Sequence, residues 1–405
     1  MTDNDLQAQL QSIERKLDRA LNELEFVKHR TATYLGDNVG LTYLVDETPV
    51  YVNTDDFGCP ANFINGGRYE EEYISILRSF RKPRSVFLDI GANLGVFSLR
   101  LAPMLRHGRI FAFEPNPRIH DLFARSSFLG GFDPTIRILP FGASDSEREV
   151  SFHVPRDHAG GGAIGSGGAS DGDQFTIQVK RLDDWLPQDL RVDIVKIDVE
   201  GHELAVLRGM QRILDRSPSV AVLFEKLGTH TGIEADICAL LEPMGLKLHL
   251  ANGTRLEPVT GDSFAGKAGY FLATREDVIH GELERDFVNI FGVDLNLRHG
   301  ALHADDRYVL DAATVSEGEV FFYGPYWYLA RGTYRIELIG ELSGQMRLEL
   351  TERFGFGVQS FLLGNGRTAV DVAVHRDLTK FELVGRSAGS PCALQLERIK
   401  LTRLG

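Results

Sequence analysis

Leu6, Leu10, Ile13, Leu17, Ala20, Leu24 and Val27 recur at alternating spacings of four and three. That is the a/d stripe of a heptad repeat, with Glu14, Arg15, Lys16 and Asp18 on the other faces. About three heptads are marginal as an isolated helix, so residues 1–30 are expected to self-associate as a coiled coil. Beyond them the pattern changes. Apolar runs at 86–90, 109–113, 136–139, 192–197 and 220–224 alternate with helical stretches, including one through Leu105 and one at 234–241. This alternation predicts an α/β fold built on a doubly wound, mostly parallel sheet. Residues 151–154 and 175–179 read as an inserted hairpin. Residues 246–250 and 269–273 read as an antiparallel pair that closes the sheet at seven strands. From about Arg285 short alternating strands take over, as in "GTYRIELIGEL" and "CALQLERIKLTRL", which predicts an all-β sandwich. The expected layout is an oligomerising helix at 1–30, an α/β domain at 40–280 and a sandwich at 285–405.

A chain of 405 residues has room for more than one core. Its net charge of −13 argues against wrapping nucleic acid or anionic lipid, which takes dense Lys and Arg. The sequence has neither a bilayer-long apolar run nor a secretion signal at Met1. The expected location is therefore cytoplasmic, at most peripheral to the inner face of the membrane. Cys59, Cys238 and Cys392 share no metal-ligand spacing and read as structural thiols in a reducing compartment.

Candidate chemistry sits at the strand ends. "VFLDIGANLGVFSLRLA" places Asp89, Gly91, Asn93 and Gly95 between a strand and a helix, where glycines allow a tight turn and close approach of a ligand. The next strand ends "FAFEPNP". Its Glu114 stands where a doubly wound fold holds a ribose diol with a carboxylate. A nicotinamide enzyme shares that acidic residue but wants G-x-G-x-x-G, and this turn reads D-x-G-x-N-x-G. Asp89 would repel a pyrophosphate and welcome a cation, which favours S-adenosylmethionine.

Taken together, "GGRYEEE", "FLDIGANLG", "FEPNP", "GASD", "RLDDW" and "KIDVEGHE", in this order, resemble the FkbM-type methyltransferases, a branch of the class I S-adenosylmethionine-dependent fold. The resemblance runs from about Tyr51 to Thr274. It implies that Asp89, Gly91, Ala92, Asn93 and Gly95 shape the methionine side of the cofactor pocket. It also implies that Glu114, with Pro115 and Asn116, serves the ribose, that Ser144 and Asp145 border the adenine, and that Glu70 and Asp198 reach the cofactor. The third part, around "YGPYWYLARGTYRIELIG", resembles β-sandwich modules of bacterial polysaccharide-modifying enzymes.

In "VDIVKIDVEGHELAVLRGM" ionisable groups crowd the end of an apolar strand. An alcohol acceptor needs a proton acceptor within hydrogen-bond reach. The candidates, in order, are Asp198, Glu200, His202 and Glu225. Each also has a structural reading, as a cap, a loop contact or an ion-pair partner. A hard cation on Asp198, Glu200 and Glu225 is conceivable, but their spacing does not demand it, and no metal is expected. The glycine-rich stretch after Arg156 reads as a flexible connection, with a lid bearing Arg156 or His158 as the alternative. Tyr323, Tyr326, Trp327 and Tyr328 are either sandwich core or sugar-stacking faces. The expected activity is O-methylation of a sugar hydroxyl on a bacterial surface glycan or glycolipid precursor. A natural-product hydroxyl and a non-catalytic scaffold of polysaccharide assembly are the alternatives.

Overall fold

The computed structural model describes residues 32–405 except 157, 166–171, 229–231, 280, 314–315, 353–355, 365, 390 and 405, together with six positions between 9 and 20. Of the heptad stripe, Ile13, Leu17 and Ala20 are described; they are helical and exposed. Leu6, Leu10, Leu24 and Val27 lie outside the described residues.

Three short antiparallel strands come first: β1 (Thr33–Gly36), β2 (Val39–Tyr43) and β3 (Pro49–Asn53). Helices α1 (Cys59–Ile64) and α2 (Glu71–Ser79) lead into the main sheet. Its parallel strands are β4 (Val86–Ile90), β5 (Arg109–Phe113), β6 (Ile136–Leu139), β11 (Ile194–Ile197) and β12 (Ala221–Lys226). They are mostly apolar because helices cover both faces, with Asp89, Lys196 and Glu225 among the charged exceptions toward their carboxyl ends. Helix α3 (Val96–Leu101) follows β4, α4 (Pro117–Gly130) follows β5, α5 (Glu203–Gly209) follows β11 and α6 (Glu234–Leu241) follows β12.

Strands β13 (Lys247–Asn252) and β15 (Gly269–Thr274) pair antiparallel, and β15 also runs antiparallel to β12. The strand order is β14-β13-β15-β12-β11-β4-β5-β6, with β14 at Arg255–Pro258. The sheet thus has eight strands where seven were expected. β14 is four residues of mixed polarity whose pairing depends on the turn at Gly253, so its pattern is too short to stand out. The inserted hairpin is β8 (Arg148–Pro155) with β10 (Gly172–Lys180). It belongs to a separate small sheet with β7 (Gly142–Ala143) and β9 (Ala163–Ile164).

From β16 (Phe287–Phe291) onward two antiparallel sheets face each other across one apolar core containing Phe321, Phe322, Phe381, Leu396 and Ile399. The sandwich packs directly on the α/β part. Arg81, 3% exposed, pairs with Asp294 and lies 4.7 Å from the Trp327 ring centroid. Trp327 and Tyr328 are buried in this seam rather than offered as open faces. The sugar-stacking alternative therefore fails for these two rings, because arginines of the α/β part already cover them. Among the described residues no helix is long and apolar enough to cross a membrane.

Candidate active site

The turn after β4 is held by its neighbours. Gly91 and Ala92 both donate backbone N–H groups to the Phe113 carbonyl at the end of β5. Gly91 has φ +72°, and a Cβ there would lie 1.8 Å from the Asp198 carbonyl oxygen. Only glycine lets the β4 and β11 ends approach this closely. Gly95, which precedes α3, is pressed against the Phe123 ring.

Beside this turn a cleft of about 640 Å³, open mouth included, is lined by Gly91, Asn93, Glu114, Pro115, Asp198, Glu200 and His202 among others. Glu114 is 6% exposed. Its two oxygens each accept one backbone N–H, from Asn93 and from Asn116, both at 2.8 Å. A carboxylate accepts about four hydrogen bonds, so capacity for a pair of ribose hydroxyls remains. Burial pushes its carboxyl up to about 7, against the pull of the two N–H groups. Asn116 caps α4 through Arg118 N, and Ala92 is buried beneath the turn. Ser144 Oγ lies 2.9 Å from His202 Nε2, and Asp145 accepts from Ser144, Ser146 and Arg148. Burial, then the Arg148 charge, holds the His202 imidazole below its ordinary value.

Asp89 is placed differently from expectation. It is fully buried and is not among the residues lining the cleft. Its Oδ2 accepts from Ser98 N (3.2 Å) and Ser98 Oγ (2.6 Å), while Oδ1 has no hydrogen-bond partner and lies 4.0 Å from Lys196 Nζ. It bonds the first turn of α3 through Ser98 and places its charge beside Lys196.

The second cluster lies at the ends of β11 and β12. Lys196 is 2% exposed, donates to the Gly91 carbonyl (2.8 Å) and sits 3.3 Å from Asp198 Oδ2. Burial pulls its pKa down, but Asp198, Asp89 and Glu70 outweigh burial and raise it. Tyr270 on β15 has its hydroxyl 3.0 Å from Glu70 Oε2 and 3.3 Å from Asp198 Oδ2. Glu225 is hydrogen-bonded to Asp198; burial first, then the Asp198 charge, pushes its carboxyl up to about 8. Burial likewise lifts Glu70 to about 7, opposed by Lys196 and reinforced by Asp198. Burial, then Asp198, raises Glu200, whose backbone is left-handed at φ 52°. Glu203 turns away from the cluster and accepts from Val199 N and Gly201 N.

Two contributors were missed. Tyr270 is the register partner of Glu225, so reading β15 as antiparallel would have put its first residues beside the parallel strand ends. Cys59 lies 3.5 Å from Asn93 Nδ2, and burial pushes its thiol up to about 12, so it stays protonated. The glycine-rich stretch is partly built into the site. Gly160, Gly162 and Ile164 line the cleft, and β9 pairs with β8. A Cβ on Gly160 would meet Asn93 Nδ2 at 2.6 Å. Residues 158–165 therefore form a wall where a loose connection was expected.

Residues 89–249 match the model of the methyltransferase FkbM domain. Hexuronic acid methyltransferase AglP of Haloferax volcanii is 30% identical over 193 residues, covering 47% of this chain and 75% of that protein. Methyltransferase sdnD of Sordaria araneosa is 28% identical over 206 residues, covering 41% of this chain and 75% of that protein. The 2-O-methyltransferase NoeI of Sinorhizobium fredii is 25% identical over 166 residues, covering 35% and 64%.

Proposed function

Because this chain belongs to the FkbM methyltransferase family, we propose that it transfers a methyl group to a hydroxyl of an uncharged sugar on a bacterial surface glycan or glycolipid precursor. It is an S-adenosylmethionine-dependent methyltransferase. The cleft suits that cofactor: Glu114 keeps acceptor capacity for a diol, Gly91 leaves the floor open, and the carboxylates nearby favour a cation. When bound, S-adenosylmethionine supplies an electrophilic methyl group on a sulfonium that leaves as a neutral thioether. We assign Asn93, Glu114 and Pro115 to hold it, with His202 and Ser144 at its outer end.

The observation that carries the acceptor reading is the carboxyl cluster of Asp198, Glu225, Glu70 and Glu200, packed around one buried lysine that is already engaged by Asp198, Asp89 and the Gly91 carbonyl. A hydroxyl acceptor gives up its proton as the methyl bond forms, and a carboxylate in reach takes it. Asp198 is assigned that role, with Lys196 and Tyr270 fixing its orientation. A carboxylate acceptor needs no base and is repelled by this wall. The relatives named for a hexuronic acid and for a 2-O position support a sugar as the acceptor class.

The test is labelled methyl transfer from S-adenosylmethionine onto matched neutral and uronic acid oligosaccharides. The expected product is an alkali-stable methyl ether, with kcat/KM at least about tenfold higher for the neutral acceptor. An alkali-labile methyl ester as main product, or transfer only to a non-sugar hydroxyl, overturns the reading.

A further inference from the structure

Glu70 is held in an unfavourable backbone state. It has φ 50° and ψ 41°, the left-handed region that non-glycine residues seldom occupy, and it stands at the start of α2. Such a conformation persists only where the surroundings over-determine it. Two residues flanking Tyr69 and Glu70 are tied down, and both ties lead to the sandwich.

Arg68 donates to the Tyr328 hydroxyl at 2.9 Å and pairs with Asp377. The Tyr328 hydroxyl in turn donates to Asp377 Oδ2 at 2.9 Å. Asp377 is anchored by its other oxygen, which accepts from Arg331 N at 2.8 Å. On the far side of Glu70, Glu71 takes a two-pronged contact from Arg100, at 2.6 and 3.0 Å. Arg100 is 5% exposed, pairs also with Asp46, and lies 5.2 Å from the Tyr328 ring centroid. One tyrosine of the sandwich therefore touches both arginines that fix the Arg68–Glu71 stretch. That stretch delivers Glu70 to Tyr270 and Tyr69 to Cys59 in the reaction cluster.

We propose that Tyr328 and Asp377 are positioning residues for the active site: the sandwich completes the methyltransferase by locking Tyr69 and Glu70 in place. The inference rests on the reading that the Glu70–Asp198 cluster faces the acceptor. It assigns the aromatic stretch of the sandwich to scaffolding of the reaction centre, carried by residues 260 and 309 positions away in sequence from Arg68.

The experiment uses the full chain with Asp377→Ala, Tyr328→Phe and, separately, Glu70→Gln. Hydrogen exchange of residues 66–74 and the pH profile of kcat are measured for each. Loss of a charge-assisted contact is expected to speed exchange of 66–74 by about tenfold or more in Asp377→Ala, and by less in Tyr328→Phe, which keeps its ring. Strands β4 and β11 are expected to stay protected. Freed segments let water reach Glu70, so its carboxyl falls from about 7 toward the ordinary carboxylate range. Glu70 is expected to give the kcat profile of the parent a limb near pH 7, which moves to lower pH in both sandwich variants and is missing in Glu70→Gln. If 66–74 stays protected, or loosens with the profile unchanged while Glu70→Gln alters it, the tether is refuted. If Glu70→Gln leaves rate and profile as in the parent, the reading of the cluster fails and the inference falls with it.

Discussion

Lys196→Met isolates the electrostatic core of the site. The new side chain has similar length and no charge, so the cation is lost, and with it the ammonium's contact with the Phe97 ring, while the volume is nearly kept. At an effective dielectric of about 20, a pair at 3.3 Å, the Asp198 distance, is worth about 5 kcal/mol, and one at 4.0 Å, the Asp89 distance, about 4 kcal/mol. Part of this is returned because the lysine no longer has to be desolvated. The net loss of stability expected for breaking such a buried group is about 3–5 kcal/mol. The loss also carries a pH signature. Asp89 is already raised by burial against the pull of Lys196, and without the cation it is pushed up further, so the folded variant binds a proton that the unfolded chain has shed. Stability of the variant relative to the parent therefore falls as pH rises through that range, and the deficit is larger at pH 8.5 than at pH 5.5. Urea unfolding of the parent, Lys196→Met, Asp198→Asn and the double variant at both pH values measures it. The double variant is expected to be more stable than the sum of the singles by about 1–3 kcal/mol. Additive singles, or a Lys196→Met deficit under about 0.5 kcal/mol at both pH values, would refute the reasoning.

Glu114→Gln should weaken S-adenosylmethionine binding by about 10- to 100-fold in calorimetric titration, the loss of one or more hydrogen bonds to a charged acceptor, with the fold intact. Gly91→Ala should lower stability by more than the roughly 1–3 kcal/mol that left-handed strain alone exacts, because its Cβ meets the Asp198 carbonyl; thermal unfolding reads this, and a variant as stable as the parent contradicts it. Glu225, held at about 8 by burial and by Asp198, keeps a proton at neutral pH and engages Asp198 in a hydrogen bond. The kcat of the parent should therefore rise with pH through about 8, and Glu225→Gln should lose that limb.

How far the sequence carried the account differs between strands and site. Residues 86–90, 109–113 and 136–139 are strands at the expected positions, because buried parallel strands are continuous apolar runs bounded by turns. The antiparallel closure by β13 and β15 was legible for the same reason. β1 to β3 were not read, since strands of four and five residues with half-exposed faces leave too few alternations. The all-β character of the C-terminal part was legible; its use was not. Trp327 under Arg81 and Tyr328 under Arg100 are partnerships across more than two hundred residues, which no local pattern announces. At the site, strand-end residues such as Asp198 and Glu114 follow from the fold's topology. Asp89 shares that topology yet turns inward, where Ser98 bonds its Oδ2 and the Lys196 charge lies 4.0 Å from its Oδ1. Tyr270 depends on the reversed direction of β15, which becomes visible only once the strand pairing is known.

The most direct test of the account is the rate of methyl transfer by Asp198→Asn, measured beside its affinity for S-adenosylmethionine on the best neutral saccharide. The account predicts a fall in kcat of about 10²- to 10⁴-fold, as for removal of a general base, with cofactor affinity changed far less. A variant that keeps its kcat, or one that loses rate only in proportion to lost cofactor binding, would contradict it.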